Sequence, residues 1–203
     1  MGSMSGMEGM AAPGWPIVMA MWAAMMVAMM VPSAAPAILL YAKVHRHSVG
    51  RTTPPTAAFL AGYLAIWFGF SALASALQLS LDNRMVVGGK AAAALLIAAG
   101  LYQLSPLKDA CLSRCRSPAQ YISSHYRPGA SGAARLGLLH GAYCVGCCWL
   151  LMALLFVGGV MNLAWVALLT LLVAAEKLLP GGKWIARVAG IAFIGWSLAL
   201  LAS

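Results

Sequence analysis

His140, Cys144, Cys147 and Cys148 are the residues best equipped for chemistry, because they place soft metal ligands within one apolar run that continues to about Val157. On a helix, residues three and four apart are neighbours on one face. At about 100° per residue these four side chains fall within an arc of about 100°. An isolated buried thiol is ordinary packing material. An imidazole and three thiols converging within lipid point instead to a soft transition metal.

Methionine extends the soft-donor pattern. The chain has 13 Met residues, and most of them precede residue 31. Met1, Met4, Met7 and Met10 recur every third residue in a Gly/Ser-rich tail. Met21, Met25 and Met29 form one helical stripe, and Met19, Met26 and Met30 an adjacent one. Flexible packing accounts for intramembrane Met equally well, but it supplies no motive in a polar tail. Thioethers need no deprotonation and suit cuprous copper. Met25, Met26, Met29 and Met30 therefore join the expected ligands.

Glu176 is the only one of four carboxylates inside an apolar span. An ionisable group there is a functional hypothesis by default. The plain alternative is an ion pair with Lys177 or another basic residue at the membrane interface. A second candidate site is Cys111 with Cys115 and His125. The four-residue spacing places both thiols on one helical face, but it is not the gap of structural zinc sites. His45 and His47 read as solvated.

These residues need positioning elements, and composition dictates what those are. Of 203 residues, 63% are apolar and 8% charged, too few polar residues to cover a soluble globule. A spanning helix needs about 20 mostly apolar residues. Six segments qualify: Trp15–Leu40, Thr56–Leu79, Met85–Leu104, Leu136–Val157, Met161–Leu179 and Trp184–Leu201. Membrane-barrel alternation is absent. The expected fold is all-α, a single six-helix transmembrane domain over residues 15–203. It follows a Met-rich outer tail (1–14) and carries a cytoplasmic loop at 105–135. Pro32 and Pro36 should kink the first helix and turn Ser33 toward a polar site. Val31-Pro-Ser33-Ala-Ala35 imitates a signal cleavage site, but no basic residue precedes the apolar run, so the first span is kept.

The net charge of +9 is a topology signal and not a nucleic-acid one. Eleven of the 13 basic residues fall in the first, third and fifth loops, leaving Arg84 and Lys90 opposite. The positive-inside rule then places those loops in the cytoplasm and both termini in the periplasm of a bacterial inner membrane.

Several strings together resemble a known family. Trp22 through Ser33, Tyr102-Gln-Leu-Ser105-Pro106-Leu-Lys108, Cys111 with Cys115, Cys144-Val-Gly-Cys147-Cys148-Trp149, Gly159-Val-Met161-Asn162 and Glu176-Lys177 are similar to a bacterial family described as predicted metal-binding integral membrane proteins. The resemblance covers about Trp22 to Pro180, and it implies that the five cysteines and Glu176 are the marked positions. The expected function is binding of cuprous copper, with zinc as the other candidate, for transport or delivery across the membrane. No Walker loop or other nucleotide motif is present, so any transport is passive or coupled elsewhere. A metallochaperone or a second copy of the chain is the expected protein partner. Two alternatives stand: a thiol oxidoreductase using Cys144 and Cys147, and an accessory subunit or assembly factor of a metalloenzyme complex.

Overall fold

The computed structural model describes residues 14–49, 54–80, 89–125, 127 and 129–202. Residues 1–13 of the Met-rich tail, Arg51, Arg84, residues 85–88 of the expected third span and the side chains of His45 and His47 lie outside the described residues. The described elements are helical throughout: α1 (Trp15–Val49), α2 (Pro54–Ser80), α3 (Gly89–Gln103), α4 (Pro106–Arg116), α5 (Pro118–His125), α6 (Gly129–Ala153), α7 (Leu155–Gly158), α8 (Leu163–Leu178) and α9 (Gly182–Ala202).

Six spans are not confirmed. Among the described residues four segments are long and apolar enough to cross a membrane: Trp15–Val44, Pro55–Ser80, Gly129–Gly158 and Gly182–Ala202. The bent pair α3–α4 would make a fifth, with 64° between its arms. The expected fifth span is realised as α8, whose 16 residues extend only about 24 Å at 1.5 Å per residue. That is short of the roughly 30 Å hydrocarbon core. Hydropathy counts apolar residues and cannot see that Asn162 starts the helix late, its side chain accepting from the Trp165 amide. α1, by contrast, runs through both Pro32 and Pro36 without a break.

The expected cytoplasmic loop is itself folded. Ser105 caps α4 by accepting from the Lys108 amide at 3.2 Å, and Pro106 occupies the first turn where its missing N–H costs nothing. α4 then lies back along α6 and buries Lys108 and Leu112.

Two close helix contacts set the frame. A Cβ on Gly62 would strike the Ala134 carbonyl, and one on Gly137 would strike the Phe59 carbonyl. Glycine at both places lets the α2 and α6 backbones touch, as small residues do in membrane bundles. On the opposite flank, Gly100 of α3 and Gly190 of α9 face each other's carbonyls in the same way.

Polarity is turned outside-in. Leu163, Leu73, Leu171 and Ile17 are 82%, 69%, 68% and 65% exposed, whereas Glu176 is 1% and Lys108 0% exposed. In water such an exterior would be costly.

Candidate metal site

α6 supplies the core of the site. Cys144, Cys147 and Cys148 are all buried on its inner face, as their spacing requires. The thiols of Cys147 and Cys148 donate to the Cys144 carbonyl at 3.1 and 2.9 Å. The tight α2–α6 contact carries Tyr63 onto the same spot, its hydroxyl 3.2 Å from Cys144 Sγ. That hydroxyl also donates to the Met30 carbonyl at 3.1 Å, which ties α1 to the cluster.

A fourth thiol arrives from α4. Cys115 lines the same cavity as Cys144 and packs against the core that holds the three α6 thiols. Cys111, one turn earlier, lies against Gly146, where a Cβ would come 3.1 Å from its sulfur. All five cysteines are free thiols. The separate Cys111–Cys115–His125 site is therefore not assembled. Cys115 belongs to the α6 cluster, while His125 stacks on Tyr121 with ring centroids 5.0 Å apart and lines another cavity with Arg127 and Arg135.

Lys177 is the unexpected member. Its ammonium donates to Cys144 Sγ at 2.9 Å and Ser33 Oγ at 3.2 Å, with Met30 Sδ at 3.9 Å. Ser33 in turn donates to the Met30 carbonyl at 2.9 Å. A cavity of ≈180 Å³ adjoins these groups, lined by Ser33, Cys115, Arg116, His140, Cys144 and Lys177.

Glu176 points elsewhere. Its carboxylate accepts from Lys108 Nζ at 2.7 Å and Gln103 Nε2 at 2.8 Å, and Lys108 also donates to Gln103 Oε1. The ion pair is made with another basic residue, Lys108, rather than with Lys177, and it is fully buried. Arg116 completes the join by donating to the Glu176 and Pro180 carbonyls at 3.1 and 2.8 Å, which satisfies the open end of α8.

His140 borders the cavity and sits among aromatic rings, with centroids 5.9 Å from Tyr63 and 5.9 Å from Tyr121. The Tyr121 hydroxyl, on α5, is buried without a hydrogen-bond partner, and its pKa is pushed up to about 12, chiefly by burial. It is a neutral neighbour to the imidazole at any physiological pH. Met26, Met29 and Met30 are buried in the same apolar core as the thiols, and Met25 packs at its edge. Of these four, Met30 has its thioether by the site's polar groups.

As the side chains lie, no group of three or more His, Cys, Asp or Glu that could hold a metal ion is formed among the described residues. The geometry gives the reason. Cys147 and Cys148 turn their thiols back to the helix carbonyl, and the Lys177 ammonium rests on Cys144. The donor set itself fits a soft ion, being thiols and a thioether in a buried pocket.

Two signals could have found the missed residues. Glu176 and Lys177 are consecutive, so on a helix they are about 100° apart and must face different partners. The Ser105-Pro106 pair marks a helix start, so the Cys111–Cys115 segment was legible as a helix able to pack back.

The sulfur-rich site is matched by the family comparison. A model of the copper chaperone family PpoB2 covers residues 19–200. The chain belongs to that family. Its function is accordingly copper-related, and the matched range includes every thiol described above while leaving out the Met-rich tail. Searches of curated proteins and of solved structures found no match.

Proposed function

We propose that this protein holds a cuprous ion inside a membrane-embedded helical bundle and delivers it to an acceptor, using Cys144, Cys147, Cys148 and Cys115 as ligands with Met30 beside them. The observation that carries this reading is the placement of three buried α6 thiols and Cys115 of α4 around one core and cavity, in a chain of the copper chaperone family. Thiolate and thioether donors favour cuprous over harder ions. Copper here is cargo, so the thiols must both take it and give it up. An apolar surround keeps water from competing, and rotation of Cys147 and Cys148 away from the Cys144 carbonyl frees their sulfurs for it. His140, at the cavity, stands on the way between the cluster and the basic loops. Glu176 is left to structure, and so is His125.

The apolar exterior and buried charges support placement in a bilayer, and the basic loops support both termini outside the cytoplasm. A phosphatase fused to the C-terminus, active only outside, reads that orientation directly.

Anaerobically purified protein, loaded with cuprous ion against a coloured chelator, tests the function. We expect about one tightly held ion per chain, lost in Cys144→Ser. Wild-type protein that retains no copper under reducing conditions would overturn the reading. A stable Cys144–Cys147 disulfide that exchanges with partner thiols would replace it with the oxidoreductase.

A further inference from the structure

Lys177 poses a question that copper binding alone does not answer. It is a buried ammonium, and its adjacent carboxylate, Glu176, is committed to Lys108. The other ion pair among the described residues joins Arg187 to Asp109. Lys177 thus carries its charge into the interior with a thiol, a hydroxyl and a thioether as partners. Burying a charge in this way is expensive, and removing that cost with an apolar residue would be simple. Two of those partners, Cys144 Sγ and Met30 Sδ, are also the donors a soft singly charged cation would use.

We propose that Lys177 is a built-in competitor for the copper ion: the ammonium occupies Cys144 when the site is empty, swings aside when a cuprous ion enters, and on returning expels the ion. The inference rests on the copper reading above and deepens it by naming what releases the cargo.

No electron is transferred: the ion takes the place of the ammonium at the Cys144 sulfur, the ligating thiols give up their protons to water as they bind it, and they are reprotonated when the ion leaves. Ammonium and ion cannot share the Cys144 sulfur, because two unit charges a few ångströms apart in a poorly screened interior repel strongly. The displaced group has somewhere to go. The cavity of ≈180 Å³ lies against Lys177, with Ser33, His140 and Arg116 on its walls. Since a water needs roughly 10–15 Å³ of such space, the ammonium can be hydrated there. Arg116 on the far wall opposes a deep excursion, so the displaced ammonium remains close to the site. The motion belongs to the flexible side chain and not to the helix. Glu176 is clamped by Lys108 and Gln103, and Arg116 holds the carbonyls of Glu176 and Pro180. The backbone on both sides of Lys177 is thereby fixed.

Release kinetics of the full-length protein test the proposal. Wild type, Lys177→Leu and Lys177→Arg are loaded anaerobically with cuprous ion alone, and transfer to excess coloured chelator is followed by absorbance. Lys177→Leu should release copper about tenfold more slowly, because the repelling charge is gone and no new donor is added, while Lys177→Arg stays near wild type. The sign is decisive. Loss of a merely structural lysine would loosen the site and speed release. Unchanged or faster release from Lys177→Leu overturns the proposal, as does slowing by Lys177→Arg to the same extent. Lys177→Gln, neutral but still able to bond Ser33, is read in the same way if the Leu variant is not recovered. Wild-type protein that binds no copper defeats the proposed function itself. Copper-binding wild type with unaltered release in both neutral variants defeats the role of Lys177 alone.

Discussion

Lys108 and Lys177 are both buried ammonium groups, and both lie beside the same turn of α8, yet their surroundings differ in kind. Lys108 meets a carboxylate and an amide, with Glu176 Oε2 at 2.7 Å, and does not line the cavity beside Lys177. Every charge there has an opposite charge. Lys177 meets sulfur and a hydroxyl, next to open volume. The first arrangement is closed and can only hold helices together. The second is incomplete as electrostatics, and a cation of matching charge can take its place. The lesson is that buried charge is not a uniform signal of function: the partner's chemistry decides whether it fastens or exchanges.

The largest effect should come from breaking the closed pair. Lys108→Met strands the Glu176 carboxylate in the interior and should cost about 3–5 kcal/mol, read as a lower melting temperature or loss of recoverable protein. Lys108→Met combined with Glu176→Met removes both charges and should restore most of that stability while leaving copper retention intact. Loss of copper by a stable double variant would show that the closed pair also serves the site.

A smaller effect distinguishes the two thiols of α4. Cys115 lines the same cavity as Cys144, whereas Cys111 rests against Gly146. Cys115→Ser should weaken cuprous retention by at least about the tenfold that even an outer partner of a metal is worth. Cys111→Ser should leave retention unchanged. Equal losses in chelator competition would mean that the cluster extends along α4.

The methionines should give the smallest effect. Leu for Met conserves volume, so Met25→Leu and Met30→Leu should each cost under about 1.5 kcal/mol in thermal stability. Met30→Leu should also weaken copper retention modestly, since its thioether adjoins Lys177, whereas Met25→Leu should not. Equal behaviour of the two would reduce the whole stripe to packing.

Much of this protein is legible without coordinates. The shortage of polar residues requires helices that hide charge inside, and the spacing from Cys144 to Cys148 places the thiols on one inner face. Soft-donor chemistry follows from residue type alone and agrees with the copper family. Those inferences hold because helix periodicity and transfer from water are local properties, determined by a few residues at a time.

Where they stop is equally specific. Hydropathy suggested six complete spans, but Asn162 caps α8 late and leaves it 16 residues long. Cys115 was placed in a loop site with Cys111 and His125. Only the fold of α4 against α6 brings it to the cavity that Cys144 lines, across 28 intervening residues. Glu176 and Lys177 were one feature in sequence and are two in space. Which of them meets sulfur and which meets Lys108 depends on how α1, α4 and α6 surround α8. Pairing between distant side chains is set by the packing of whole helices, and that information resides in no single stretch of the sequence.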